Sequence, residues 1–400
     1  MRFIRADEFC ASVRDGTHDT PKPIEIGYKL VTGKHIKNGQ IDPSDAYCIS
    51  EKDYKKINER SLVEQWDVLM SMIGTVGEVA VVKDCPQYAI KNIALFKCGK
   101  SELKGKWLAY YLMSSNAQGH ITGNQKGSSQ QFLSLKQLRS LPVPITDERY
   151  MQEVIGILST YDDLIENNQK QIKLLEEAAQ RLYKEWFVDW RFPGHENTKI
   201  VDGIPEGWIE KAMGEVCDAI GGGTPSTKVD AYYRNGRIKW ATPTDITRKN
   251  GLILLDTEKR ITEEGLIHSS AKIVPPYTIL MTSRASVGFF GLCRHEICTN
   301  QGFICCIPYK ENYRFYLLYN LLNRVEEIRA KASGSTFLEI SKKNFRTLRI
   351  ILPSDVVLNL FTSQIQPMVK QMEVLTQAIT ELQEARDRLL PKLMGGEIEV

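Results

Sequence analysis

Leu158-Ser159-Thr160-Tyr161-Asp162-Asp163-Leu164-Ile165-Glu166-Asn167-Asn168-Gln169-Lys170-Gln171-Ile172-Lys173-Leu174-Leu175 lies inside a polar–apolar run from about Asp147 to Trp186. Leu158, Ile165, Ile172 and Ala179 are spaced by seven, as are Tyr161, Asn168, Leu175 and Leu182. These are the two inward rows of a helical heptad, sustained for more than three repeats. Adding 207 returns the pattern near the C-terminus, as Ile365, Met372, Ile379 and Arg386 beside Met368, Leu375, Leu382 and Leu389. The pattern predicts two long helices that bury their seams against each other. Each follows a globular block, so the economical pairing is antiparallel. A helix of 40 residues spans roughly 60 Å, which makes the pair a ruler between two heads. Asn168 at an inward position predicts a buried amide that fixes register.

The rest of the chain is also written twice. Glu8, Cys10, Gly16 and Thr17 map at the same offset onto Glu215, Cys217, Gly223 and Thr224. Leu69-Met70-Ser71 through Val76-Gly77 resembles Leu280-Met281-Thr282 through Val287-Gly288 at an offset of 211. Gly127-Ser128-Ser129, Lys136, Arg139 and Leu141 match Gly334-Ser335-Thr336, Lys343, Arg346 and Leu348, back at 207. A unit this long is a duplicated domain, since stacked solenoid repeats run about 20–50 residues. Within each copy Val68–Ile73, Val79–Val82 and Ile279–Met281 read as short apolar strands, and Leu103–Met113 and Tyr316–Leu322 as helices. Arg191–Gly207, with its Pro, Gly and scattered charge, reads as a linker.

Charge is segregated. The formal net charge is +3 over 400 residues. Residues 1–146 carry 20 Lys and Arg against 15 Asp and Glu, and residues 191–353 carry 23 against 17. The helical stretches are acidic, with 5 against 10 in residues 147–190 and 4 against 7 in residues 354–400. Basic blocks on acidic helices are the distribution expected when the blocks meet a polyanion and the helices meet something else. No window approaches a membrane span, the first residues show no apolar signal segment, and nine cysteines without a framework predict a reducing cytosol.

Reactive groups are hard to find. Gly105-Lys106 runs into Trp107 without a phosphate-loop glycine before it, and Gly221-Gly222-Gly223 lacks dinucleotide spacing. Val274-Pro275-Pro276-Tyr277 is shaped like the polar-Pro-Pro-aromatic tetrapeptide of amino-methyltransferases. Val274 cannot accept the required hydrogen bond, however, and the other copy has Val63-Glu64-Gln65-Trp66; the stretch reads as a turn into a strand. Cys293, Cys298, Cys305 and Cys306 have no recognised zinc spacing and no counterpart cluster in the first copy, so they read as buried thiols. The expectation is no catalytic residue, no metal ligand and no cofactor on this chain.

The loops offer binding chemistry instead. Gly16-Thr17-His18-Asp19-Thr20-Pro21-Lys22 and Gly223-Thr224-Pro225-Ser226-Thr227-Lys228 combine backbone freedom, hydroxyls and a lysine, the groups that approach phosphates. Lys126-Gly127-Ser128-Ser129 and Ser333-Gly334-Ser335-Thr336 have the same character. Taken singly these are ordinary turns; at matching places in two basic blocks, the binding reading draws level. The DNA-contacting candidates are Thr17, His18, Lys22, Lys34, Lys126, Ser128 and Ser129 in the first copy, and Thr224, Ser226, Lys228, Arg284, Ser335 and Thr336 in the second.

The whole arrangement resembles the specificity subunits of type I restriction–modification systems. The local strings that carry the resemblance are Leu182-Tyr183-Lys184-Glu185-Trp186-Phe187 with Arg191-Phe192-Pro193-Gly194-His195-Glu196, then Ile204-Pro205-Glu206-Gly207-Trp208, and finally Leu389-Leu390-Pro391-Lys392-Leu393-Met394-Gly395-Gly396-Glu397-Ile398. The resemblance implies an α+β chain of two duplicated mixed α/β target-recognition domains separated by a long antiparallel two-helix coiled coil. The expected boundaries are residues 1–146 and 208–353 for the recognition domains, 147–190 and 354–400 for the spacer helices and 191–207 for the linker. It further implies a non-catalytic subunit that reads a bipartite target on double-stranded DNA in the cytoplasm. Two modification (methyltransferase) subunits would dock on the helices and restriction (translocase and nuclease) subunits would join them. S-adenosylmethionine, ATP and magnesium would be held by those subunits. The readings from other classes are a coiled-coil scaffold that never touches DNA and a DNA-modifying enzyme with its own active site.

Overall fold

The computed structural model of the chain describes residues 2–123, 132–248, 251–334, 338–398 and 400. It divides into two units, Met1–Leu164 with Glu381–Val400, and Ile165–Thr380.

The first unit is built on an antiparallel sheet in the order Ser12–Asp15, Ile93–Lys97, Val68–Ser71, Val79–Val81. Val68–Ser71 is buried at every position, which is what an unbroken apolar run at the centre of a sheet requires. A second sheet pairs Tyr28–Val31 antiparallel with Cys48–Ile49 and parallel with Tyr88–Ile90. A third pairs Arg2–Arg5 with Pro142–Ile145. The helix Glu102–Met113 starts where the Ser101 hydroxyl accepts from the Lys104 amide. Its Trp107 is fully buried and donates to the Pro144 carbonyl at 2.8 Å.

The second unit repeats this plan strand for strand. Its antiparallel sheet runs Cys217–Gly221, Phe303–Pro308, Ile279–Thr282, Phe290–Leu292. Ile238–Ala241 pairs antiparallel with Lys259–Ile261 and parallel with Cys298–Thr299, and Ile209–Ala212 pairs with Arg349–Leu352. The chain therefore has the duplicated mixed α/β fold that the sequence predicts. Even the strained turn is kept. Trp66 and Tyr277 both have positive φ, at 68° and 59°, just before the central strand of each sheet. The Val274-Pro275-Pro276-Tyr277 stretch is accordingly a turn, closed by the Thr278 amide on Pro275 O at 3.3 Å.

The two long helices are Glu148–Phe187 and Asp355–Gly395. Asp147 begins the first by accepting from the Tyr150 amide at 2.9 Å. In the first unit Met151, Val154, Ile155 and Leu158 share a core with Leu390, Leu393 and Met394. In the second, Ile172 and Ala179 share one with Ile365, Val369, Met372 and Leu375. The start of each helix lies with the end of the other, so the pairing is antiparallel.

The seam is narrower than the heptad implies. Leu158, Ile165, Ile172, Ala179, Ile365, Met372 and Leu375 are buried, while Tyr161, Asn168, Leu175, Leu182, Met368, Ile379, Leu382 and Leu389 are only half-buried. The Asn168 amide is thus at the rim, not in the seam interior. The reason is that each helix also packs on the core of a globular block. Phe187 lies 4.8 Å from both the Tyr316 and Phe361 rings, and Tyr183 accepts from Asn320 Nδ2 at 2.9 Å. That aromatic cluster explains the Leu182–Phe187 string: Tyr183, Trp186 and Phe187 are all buried and fasten the helix end to the second unit's core.

Candidate nucleic-acid interface

In each unit, the parallel strand pair delivers the candidate loops to one edge. In the first unit Val31 and Ile90 are paired, so Thr32–His35 and Lys91-Asn92 leave the sheet together. Gly16-Thr17 crosses beside them: the Thr17 amide donates to Ile90 O at 3.0 Å and the Gly16 amide to Ile93 O at 2.9 Å. A side chain at Gly16 would place its Cβ 2.4 Å from the Ile90 carbonyl oxygen, so this approach needs glycine. In the second unit Ala241 and Thr299 are paired. The Gly223 amide donates to Thr299 O and the Asn300 amide to Ala241 O, each at 2.9 Å. A Cβ on Gly223 would fall 2.3 Å from Ser270 Oγ.

The sequence candidates fall around these edges. The Thr17 hydroxyl accepts from the Asp19 amide at 3.1 Å. His18, with its side chain 61% exposed, bridges Asn92 Oδ1 at 2.8 Å and Asp15 Oδ2 at 3.1 Å, and Asp15 also binds Arg60. Lys22 and Lys228 are exposed and have no described partner. Lys34 reaches Asp45 at 3.1 Å. Thr224 bonds Gln301 through its hydroxyl, and Ser226 is exposed, its carbonyl accepting from the Val229 amide. Arg284 follows Ser283, whose amide donates to Gly302 O at 2.8 Å, so it joins the same edge; its guanidinium lies 3.7 Å from Glu339. Lys126, Ser128, Ser129, Ser335 and Thr336 lie outside the described residues.

Sequence reasoning missed the residues that meet these loops from the other side. Lys91, which follows Ile90, binds the Thr20 hydroxyl; in the second unit Gln301, two residues after Thr299, bonds the Thr224 hydroxyl. Thr32 and Thr242 head equivalent capping boxes, closed by His35 and Asp245, so Lys34 in one unit corresponds to Thr244 in the other. The donors at the two edges differ, with Lys34 and Lys91 in the first and Thr244, Gln301 and Arg284 in the second. Like scaffolds thus carry unlike donor sets. The 207 offset gives no hint of Lys91 or Gln301, because the loop lengths before them differ.

The cysteines behave as interior side chains. Cys293, Cys298, Cys305 and Cys306 are buried, and burial pushes Cys298 up to about 11 and Cys305 up to about 12. Among the described residues no group of three His, Cys, Asp or Glu side chains is placed to hold a metal ion. Cys306 also lies beside Cys217, and Cys98 beside Cys10.

The family described as type I restriction modification DNA specificity domain matches residues 21–177 and again residues 205–385. The chain belongs to that family. Among its relatives is the type I restriction enzyme MjaIX specificity subunit of Methanocaldococcus jannaschii, 24% identical over 369 residues, covering 88% of this chain and 82% of that one. The EcoR124I/EcoR124II specificity subunit of Escherichia coli is 25% identical over 307 residues, covering 73% and 69%. The crystal structure of a type I restriction–modification S subunit from M. genitalium shares the fold with a TM-score of 0.55 at 15% identity, over 98% of this chain and 95% of that chain. Two DNA specificity domains thus stand in one chain; the second match contains the whole of the second loop-lined edge, and the first begins just after Gly16-Thr17.

Proposed function

We propose that this specificity subunit reads a bipartite DNA target without carrying out chemistry itself. Each recognition unit meets one half of the site through the edge built from its Gly-Thr loop and parallel strand pair. Modification subunits dock on the long helices, restriction subunits join the assembly, and both S-adenosylmethionine and ATP with magnesium are held there and not on this chain. Such an assembly works in the cytoplasm, and among the described residues no helix is long and apolar enough to cross a membrane. The observation that carries the reading is the duplication: the same sheet, turn and loop recur in both units with different donors at the loop. The helices support the docking role, because they are acidic and leave Leu164, Leu174 and Val374 45%, 63% and 56% exposed, away from the seam.

The test exchanges residues 1–146 for the corresponding block of another family member and maps methylated sites genome-wide. One half of the target changes and the other half persists. If both halves change together, the two-reader assignment fails. The same preparation tests inertness: the purified chain alone transfers no methyl groups above a mock preparation, and adding a modification subunit confers transfer.

A further inference from the structure

The two units differ in what meets one equivalent buried tyrosine. Tyr110 follows Trp107 by three residues, and Trp107 donates to Pro144 O at 2.8 Å. Tyr319 follows Tyr316 by three, and the Tyr316 hydroxyl donates to Ile351 O. Pro144 and Ile351 are themselves 207 apart, so the two tyrosines are counterparts. In the first unit the Tyr110 hydroxyl donates to Asp162 Oδ2 at 2.7 Å, and Asp162 Oδ1 accepts from the Arg386 guanidinium at 2.7 Å. The positions 207 away are Val369 for Asp162 and Ala179 for Arg386. Neither can serve a hydroxyl. Tyr319, 2% exposed, has no hydrogen-bond partner among the described residues, and a buried hydroxyl without one carries a cost.

What the second unit has beside that hydroxyl is a carboxyl group and a cavity. Glu176 lies three residues before Ala179, on the same helix face, and its Oε1 accepts from the Leu252 amide at 2.8 Å. Burial pushes this carboxyl above its ordinary range, and no described cation lies against it to offset that. Glu176, Gln180, Leu252, Phe289, Phe290 and Tyr319 line an open cavity of about 240 Å³. That is smaller than the roughly 300–1,000 Å³ of sites for whole drug-sized ligands, and suits a group the size of a side-chain head. Phe289, at 40% exposure, stands at its mouth.

We propose that this cavity is a receptor for a guanidinium group supplied by another molecule. The first unit provides its own guanidinium from Arg386; in the second, the acid, the hydroxyl and the space are present and, among the described residues, no cation lies against Glu176. A planar five-donor cation satisfies the carboxylate and the hydroxyl together, and the flanking rings favour a flat, weakly hydrated cation over an ammonium. The occupant is an arginine side chain of a protein docked on the first long helix, and this identification rests on the assembly proposed above. A guanidinium-bearing metabolite shares the chemistry and is separated by the test.

Agmatine is titrated into the full chain and followed by saturation-transfer NMR, with butylamine as the ammonium control. Saturable agmatine binding, with butylamine weaker, is expected. Glu176→Gln keeps the acceptor for the Leu252 amide and raises the agmatine dissociation constant at least tenfold. Tyr319→Phe, which removes only the orphaned hydroxyl, raises it about threefold. Absence of saturable binding, or binding indifferent to both substitutions, overturns the site. The second arm measures association with the cognate modification subunit. A fivefold or greater loss with Glu176→Gln, and competition by agmatine, identify a protein arginine. Unchanged association with intact agmatine binding overturns the arginine and leaves the metabolite. Agmatine binding needs no partner subunit, so its outcome is independent of whether the assembly reading holds.

Discussion

Arg386 and Asp162 form an ion pair between the two long helices, with Nη1 2.7 Å from Oδ1 and side chains only 18% and 32% exposed. Arg386 stands at an inward heptad position where the other helix has Ala179, so the seam is charged at one point only on one side of the repeat. Sliding either helix by a turn would break this inter-helix pair, leaving Arg386 with Asp387 of its own helix and Asp162 with Tyr110. The pair therefore holds the register that the rim placement of Asn168 cannot.

Breaking this pair from one side costs stability. Arg386→Met strands Asp162 and its Tyr110 hydrogen bond, and should lower unfolding free energy by about 2 kcal/mol, less than the 3–5 kcal/mol of a fully buried pair because Asp162 is partly solvated. The double substitution Asp162→Leu with Arg386→Met should recover most of that loss, since no charge is left stranded. Urea unfolding of the full chain measures both. Additive losses in the double variant would show that the two residues act separately.

The glycines at the loop edges make a sharper structural prediction. Gly16→Ala would push a Cβ to 2.4 Å from Ile90 O and 2.6 Å from its carbon, against backbone that cannot move aside. A loss of about 2–3 kcal/mol is expected, at the upper end of overpacking costs. Gly119, inside the helix Ser115–Gly123 with nothing within 4 Å of its would-be Cβ, is the control: Gly119→Ala should gain about 0.5–1 kcal/mol from helix propensity. Thermal melting of both variants decides whether the contact or the residue type matters.

Much of this architecture was legible in the chain because duplication writes most of the scaffold twice. The heptad rows and the central strands Val68–Ser71 and Ile279–Thr282 announced themselves through apolar spacing, and Gly16 with Gly223 through the constant offset of the repeat. The far side of each interface did not. Lys91 and Gln301 reach the Gly-Thr loops through strand pairing across more than 70 residues, and no local pattern marks them. The extent of the seam was overread for a related reason. A heptad row shows that a helix face is covered but not by what, and here Tyr316, Asn320 and Trp208 cover part of it.

His35 supplies a pH dependence. It is buried, and its Nδ1 accepts from the Thr32 amide at 2.8 Å, a bond that needs the nitrogen unprotonated. Burial is the largest effect and holds the ring below its ordinary range, although Nε2 lies 3.1 Å from Asp45. A histidine with a depressed folded value takes up its proton in the unfolded chain first. As pH falls below about 6.5 toward the depressed value, the unfolded state gains protons that the fold refuses, and stability drops by at most about 1.4 kcal/mol per pH unit. His35→Gln should flatten that slope relative to the parent in calorimetric melts between pH 7.5 and 5. Parallel pH profiles would assign the slope to other groups.

The lysines of the two Gly-Thr loops should act as phosphate contacts. Lys34 and Arg284 already face Asp45 and Glu339, whereas Lys22 and Lys228 are exposed with no described partner, so their charge is available to a polyanion. A lysine that neutralises one phosphate releases counterions, and its loss reduces the slope of log affinity against log salt by about 0.9. Lys22→Ala and Lys228→Ala should each do this, weakening specific and unrelated DNA alike. Gln301→Ala should behave differently. An uncharged amide at the edge contributes to base reading and leaves the salt slope in place, so its removal should relax preference in the second half of the target while the first half stays unchanged. Fluorescence anisotropy of the assembled complex across a salt series, on matched and half-mismatched duplexes, separates the two effects. A salt slope unmoved by both lysine substitutions would place the phosphates elsewhere, and equal loss at both half-sites for Gln301→Ala would remove it from the reading edge.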